Sequence, residues 1–356
     1  MEPHSQTLLS SPLLASRAVA RKRPPSLATP RLSVIIVNYR SWHDTARVVR
    51  QLGSSSSLKR GRAEITIVDN HSPAHPLAGR LRRVPGVSLR RWGRNRGFAR
   101  AVNEGCRLSG GDWFLLLNPD VTLEPGFLDA ALRLVGALEP DVGIVGFGLR
   151  NDDGSRQLST GPFPTLAGTL SRLLLPRHCR KYRPTPETVP SAVDWATGCC
   201  LLIRRTCWEE LGGFDPDYFL YYEDVDLCRR ARAEGWGVRF EPGLTLVHHQ
   251  PLHARPVPPH LRLITRHALL TYGLKHWSPW QARVLAGVVR LDAWLRQGLA
   301  WKRGDDDAAS LFHQLGRLAG ELARGDHAQA ARRLRRVVQR EEAAYDAVAV
   351  HRPAQP

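Results

Sequence analysis

The sequence predicts an α/β protein built around a parallel sheet, and three observations carry that expectation. Apolar runs of strand length recur at LSVIIVNYR (32–40), AEITIVDN (63–70) and DWFLLLNPDV (112–121), each ending on polar residues. The first and last runs do not alternate, as expected of strands covered on both faces. Between the runs the spacing turns helical, most clearly in GRNRGFARAVNEGCRL (93–108). Strand and helix in alternation imply right-handed crossovers, with ligands bound beyond the carboxyl ends of the strands.

The remaining elements follow in order. Residues 41–52 read as a helix with Ser41 or Asp44 near its start, SSSS at 54–57 as a surface turn, and GVSLRRW (86–92) as a short strand. EPGFLDAALRLVGAL (124–138) is helical, VGIVGFGLR (142–150) is a strand, and NDDGS (151–155) is a hairpin-like turn. A Pro-rich stretch at 162–190 is long enough to cover a substrate. VDWATGCCLLIRRTCWEELGGFD (193–215) gives a strand and a short helix, and GVRFEPGLTLVHHQ (237–250) the last strand. This order brings Asn38, Asp69 and Asp120 to one edge of the sheet. Taken singly, each is also an ordinary strand-ending turn residue.

Composition narrows the partners without choosing one. The 356 residues carry 51 Lys+Arg against 33 Asp+Glu, a net charge of +18, and 42% are hydrophobic. Such a basic globular chain suits a negatively charged partner: nucleic acid, an anionic membrane, or phosphorylated small molecules. Cys106, Cys179, Cys199, Cys200, Cys207 and Cys228 form no CxxC pair, so neither a zinc site nor a disulfide framework is indicated, and reduced thiols of a cytosolic protein are expected. No apolar run reaches the roughly 18 residues of a membrane-spanning helix. In residues 1–30 the positive charges follow the apolar patch, which reads as a disordered basic arm rather than a secretory signal.

Within this basic chain FLYYEDVDLCRR (219–230) places three carboxylates within four residues. A helix from about Asp224 to Glu234, closed by Gly235, would put acids in its first turn, where the helix dipole stabilises them. That accounts well for Asp226. Glu223 and Asp224 instead follow four bulky residues, Phe219 to Tyr222, where desolvation would raise a carboxylate's pKa and favour a proton acceptor. Asp120 is suited to a divalent cation that also binds phosphates, with His248 or His249 as a further ligand. The turn Asn95–Arg96–Gly97–Phe98 opens a helix, and its backbone N–H groups, with Arg94 and Arg96, can receive a diphosphate.

In that order, VIIVNYR, ITIVDN, NRGFARAVNEG, LLLNPDV, TGCCLLIRR and GGFDPDYFLYYEDVDLCRRARAEGW resemble the family 2 inverting glycosyltransferases, most closely the rhamnosyltransferase-like branch, over roughly residues 32–255. The resemblance implies the GT-A fold, a Rossmann-like, mostly parallel sheet with flanking helices. It also implies a nucleotide-diphospho-sugar donor near Asn38, Tyr39, Asp69 and Asn70, with Asn95, Gly97 and Phe98 nearby. NPD stands where the family carries DXD, so Asn118 replaces the first Asp and Asp120 is left as the principal ligand of Mn or Mg, with His248 as the matching histidine. The ED pair matches the general base, Asp224 in preference to Glu223, which then holds the acceptor, and Trp195 to Gly198 match the acceptor-side loop. The acceptor implied is a saccharide or lipid-linked saccharide of cell-surface polysaccharide or glycolipid synthesis. QPLHARPVPPH (250–260) departs from the family pattern, which leaves the choice between His248 and His249 open. No QxxRW signature of processive polymerases occurs, which favours one sugar per event.

The division expected is a basic arm (1–30), a catalytic domain (31–255), a helical extension (256–345) and a disordered tail (346–356). After Ser278–Pro279, the residues Trp280, Val284, Val288, Leu291, Leu295 and Leu299 form one apolar stripe flanked by Arg283, Arg290, Arg296 and Lys302, widened by Trp294 and Trp301. This stripe either lies on the anionic inner face of a membrane, making the chain a peripheral cytoplasmic protein, or packs on the catalytic domain or a second subunit. Three rival readings are weaker. Nucleic-acid binding rests on the charge and on RRLRRVVQR (332–340), lacks a binding module and leaves the carboxylates unexplained. Nucleotidyl transfer calls for a Gly-rich, Lys-containing loop where VNYRSWHD stands (37–44), and an inactive scaffold would not be expected to keep so many of the family's residues.

Overall fold

The computed structural model describes residues 31–171, 185, 188–249 and 259–350. The N-terminal arm, Cys179, most of the second half of the Pro-rich stretch and the end of the tail lie outside the described residues.

The chain opens with β1 (Leu32–Asn38), α1 (Trp42–Gly53), α2 (Ser56–Lys59), β2 (Ala63–Asp69), α3 (Pro76–Leu81) and β3 (Val87–Arg91). Every residue of β1 is buried, as its unbroken apolar run requires, and β1 pairs parallel with β2 in a register that sets Asn38 beside Asp69. The serines at 54–57 do more than turn the chain. Ser55 caps α2, and the Asp129 carboxylate accepts from the hydroxyls of Ser55, Ser56 and Ser57 and from the backbone N–H groups of Ser56 and Ser57. The expected surface turn is thus a capped helix start with Ser57 buried.

Next come α4 (Phe98–Leu108), β4 (Trp113–Leu117), β5 (Val121–Leu123), α5 (Phe127–Ala137), β6 (Val142–Arg150) and the short β7 (Arg156–Gln157) and β8 (Thr160–Gly161). After α6 (Leu166–Ser171) follow β9 (Ser191–Ala192), β10 (Trp195–Ala196), β11 (Cys200–Arg204), α7 (Arg205–Leu211), α8 (Glu223–Ala233) and β12 (Gly237–His248). The sheet order is β3-β2-β1-β4-β11-β6-β12-β5. Its first half is parallel, whereas β11 runs antiparallel between β4 and β6, and β5 antiparallel to β12.

Alternate residues of the buried strands feed two cores. Val34, Ile36, Leu115 and Leu117 meet α1 and α5 on one face, while Ile35, Val37, Phe114 and Leu116 meet α4 and α8 on the other. Each such side chain contributes about 1.5–3 kcal/mol on burial, so helices on both faces are what make a continuous apolar strand favourable. Four helices complete the chain: α9 (Pro259–His276), α10 (Pro279–Lys302), α11 (Asp306–Ala323) and α12 (His327–Val350). They share a third core, and Phe219 to Tyr222 pack against it.

Candidate active site

The expected convergence of Asn38 and Asp69 is a direct contact. Asn38 Nδ2 donates to Asp69 Oδ1 (2.8 Å) and to Ser72 Oγ (2.9 Å), and Thr45 Oγ1 donates to Asn38 Oδ1 (2.8 Å). Arg91 Nε pairs with Asp69 Oδ2 at 2.8 Å. Both side chains are fully buried, so they hold the strand ends together from beneath. What faces outward is Tyr39, whose phenol donates to Glu342 Oε1 of α12 (3.0 Å).

Asn70 and Asn95 join the second strand end to the turn before α4. Asn70 Nδ2 donates to Asn95 Oδ1 (2.9 Å), and Asn70 Oδ1 accepts from the Arg96 N–H (2.8 Å). The Gly97 N–H is taken by Asn95 Oδ1 (2.9 Å) and the Phe98 N–H by Phe219 O (2.7 Å). These N–H groups were expected to receive a diphosphate, but the fold uses them to clamp the turn onto the segment before α8. Gly97 is required there: its φ is +90°, and a Cβ would lie 2.7 Å from Phe219 O.

The acidic segment sits on strained backbone. Tyr221 (φ +73°) and Tyr222 (φ +67°) are both left-handed, a costly conformation for bulky residues, and they turn the chain directly into α8. Glu223 and Asp224 are buried in its first turn. Asp224 Oδ2 accepts from the Gly198 N–H (2.9 Å) and Oδ1 from the Val225 N–H (2.8 Å). Gly198 therefore meets the carboxylate through its backbone. Trp195, expected on the acceptor side, is fully buried in β10 with its indole N–H donated to Pro162 O (3.0 Å); its bulk supports the loop from below.

Asp226, two residues on, is a different carboxylate. Arg230 Nε and His276 Nε2 each lie 2.7 Å from it, and Tyr218 OH donates at 3.3 Å. Burial works against its charge, yet His276 and Arg230 outweigh that and hold the carboxyl below its ordinary range. His276 and Tyr272 come from α9, and Tyr272 also packs on Tyr222 and accepts from Arg229 Nη1 (3.0 Å). No motif in the sequence marked these α9 residues.

On the metal side, the antiparallel pairing of β12 with β5 puts His248 opposite Val121, next to Asp120. His248 Nε2 lies 3.6 Å from Asp120 Oδ2. His249 points elsewhere, to Thr122 Oγ1 (2.8 Å) and the Asp152 carboxylate. Asn118 is tied through its backbone N–H to Cys199 O (2.9 Å), which joins the NPD turn to the Gly198 loop. Burial disfavours charge on His248, but its contacts with Cys199 and Asp120 push it up to about 10. The other ring nitrogen, Nδ1, is 2.9 Å from the Gln157 carboxamide, a contact the sequence did not reveal. Gln157 Nε2 faces that nitrogen; turned over, the carboxamide would accept an Nδ1–H through Oε1, which has no other hydrogen-bond partner, and a bound cation would take the place of the proton on His248 Nε2. A carboxylate oxygen and an imidazole nitrogen directed to one point fit a divalent cation, with positions left for phosphate oxygens and water. Among the described residues no group of three or more His, Cys, Asp or Glu could hold a metal, and Asp120 with His248 is the pair that fits one here.

The family model described as "Glycosyltransferase like family 2" matches residues 30–268, about two thirds of the chain. The chain belongs to the family 2 glycosyltransferases. This glycosyltransferase is 31% identical over 276 residues to N-acetylglucosaminyl-diphospho-decaprenol L-rhamnosyltransferase of Mycobacterium tuberculosis, covering 71% of this chain and 88% of that one. It is 29% identical over 238 residues to a low-salt glycan biosynthesis hexosyltransferase of Haloferax volcanii, covering 62% and 68%. Its fold is that of a solved structure of GalNAc-T7 with UDP, GalNAc and Mn2+, with a TM-score of 0.51 at 17% identity over 68% of this glycosyltransferase and 48% of that chain. The GT-A fold expected from the sequence motifs is the fold observed.

Proposed function

We propose that this glycosyltransferase moves one sugar from a nucleotide-diphospho-sugar to a hydroxyl of a saccharide or lipid-linked saccharide, with inversion and with Asp224 as the base. The observation that carries the reading is Asp224 itself, a buried carboxylate fixed by the Gly198 and Val225 N–H groups at the head of α8. A carboxylate held by backbone N–H groups keeps a fixed orientation towards an incoming acceptor hydroxyl. It takes the proton of the acceptor hydroxyl as that oxygen bonds to the anomeric carbon. The bond from that carbon to the diphosphate breaks on the opposite face, and its electron pair leaves on the diphosphate oxygen.

Tyr39, beside Asn95 and braced by Glu342, supports the nucleotide end of the donor. Asp120 and His248 would hold the divalent cation, Mn or Mg, and Gln157 would orient the imidazole. Such a cation supplies neutralisation of the charge developing on the diphosphate. The name of the Mycobacterium tuberculosis relative favours an L-rhamnosyl donor and a polyprenyl-diphosphate-linked acceptor in cell-surface glycan synthesis.

A panel of nucleotide sugars, screened by thermal shift with and without Mn2+, tests the reading. A donor at about a hundred times its Kd stabilises the fold by about 2.7 kcal/mol. One donor class that raises Tm only with the metal supports the proposal, and no response to any donor would contradict it.

A further inference from the structure

Helix α10 is apolar on two opposite sides, and only one of them has a partner within the chain. Ala282, Leu285, Ala286, Val289, Ala293 and Ala300 are buried in the core shared with α9 and α11. About half a turn away, Trp280 (61%), Leu291 (57%), Trp294 (68%), Leu295 (52%) and Trp301 (72%) stand exposed. A Cβ added at Gly287 or Gly298, on this outer side, would meet nothing within 4 Å. The stripe foreseen in the sequence therefore does not pack on the catalytic domain. A helix with a second apolar side left exposed calls for a second apolar environment.

The charges around the exposed face indicate which environment. Arg283, Arg290, Lys302 and Arg303 are exposed on or beside it. The one acid within α10, Asp292, is paired with Arg296 at 2.8 Å on the flank. The acids that follow belong to α11: Asp305 caps it through the Ala308 N–H, and Asp306 and Asp307 fill its first turn. Tryptophans among arginines suit the headgroup layer of an anionic bilayer, where rings enter the acyl boundary and guanidinium groups meet phosphates. A second copy would bring the same cations face to face on a chain of net charge +18. Among the described residues no helix is long and apolar enough to cross a membrane, so α10 would lie in the plane of the surface.

We infer that the outer face of α10 docks this glycosyltransferase on an anionic membrane surface. The inner face of α10 rests on α9, whose His276 holds Asp226 in the same helix as Asp224. Docking thus reaches the site through one packed stack. The inference deepens the proposed function where it brings a lipid-linked acceptor to Asp224; the binding itself does not depend on that reading.

Flotation of the full chain with vesicles tests it. On vesicles of about one part phosphatidylglycerol to three parts phosphatidylcholine, the bound fraction should be about tenfold above that on phosphatidylcholine alone. The variant Trp280→Ser/Leu291→Ser/Trp294→Ser should lose about tenfold in binding with unchanged thermal unfolding, and Arg283→Glu/Arg290→Glu should lose the preference for anionic lipid. Failure of the full chain to float with anionic vesicles, or equal flotation of the triple serine variant, would overturn the inference. So would a dimer in solution that the same variant converts to monomer, since the face would then be a contact between copies. The nucleotide-sugar thermal shift, run on the same preparations, separates failure of docking from failure of the transferase reading.

Discussion

Asp224 and Asp226 lie two residues apart on α8, both at most 5% exposed, yet different groups fasten them. Asp226 meets Arg230, His276 and Tyr218, and its charge fastens α8 to α9. Asp224 meets the N–H groups of Gly198 and Val225, which fix the orientation of its carboxylate. Burial alone does not tell the two carboxylates apart. A similar pairing recurs across the site, where Asp120 and His248 face each other at the proposed cation position with Gln157 beside the ring, and where Tyr39 faces outward and Glu342 fixes the phenol.

The largest loss of stability is expected where holding is removed. Asp226→Asn leaves Arg230 and His276 without their buried carboxylate and should cost about 3 kcal/mol in urea unfolding, while the molecules that remain folded keep their transfer rate. If that variant were stable but inactive, the two carboxylates would have been assigned the wrong way round. Acid makes the same point. Because the folded pKa of Asp226 lies below its ordinary 3.8, its contribution is complete above that value and is lost as pH falls through the lower folded value. The unfolding midpoint of the wild type should therefore fall more steeply below about pH 4 than that of Asp226→Asn.

On the metal side, Asp120→Ala should weaken Mn2+-dependent donor binding by about a hundredfold, and Gln157→Leu by about tenfold, both read by calorimetry. Equal losses would make Gln157 more than a support. The smallest effect belongs to Glu342→Gln, which keeps a hydrogen bond to Tyr39 but loses the charge; a rise of about threefold in donor KM with kcat unchanged is expected.

The sequence made β1, β2 and β4 legible because strands buried on both faces leave no alternation to misread, and it placed Asn38, Asp69 and Asp120 at their ends. It did not show that Asn38 and Asp69 bond to each other, a consequence of the β1–β2 register. Nor did it show that the N–H groups before α4 are already used, since Phe98 meets Phe219 only after the chain has folded back. The insertion of β11 antiparallel beside β4 depends on tertiary pairing. For α10 the apolar stripe was visible, but a helix apolar on two sides carries no signal of which side packs inward. The return of α12 to Tyr39 and Arg40, where Asp346 pairs with Arg40 at 2.8 Å, spans the whole chain and left no local trace.

The most direct measurement is the initial rate of sugar transfer by Asp224→Asn, taken with its donor affinity on the same preparation. Asparagine keeps the shape of the side chain and an oxygen to accept an N–H, but cannot take a proton at neutral pH. A rate reduced about a thousandfold at unchanged donor affinity is the expected result. A rate within a few-fold of wild type would contradict the assignment of Asp224 and turn attention to Glu223, its buried neighbour in the same turn.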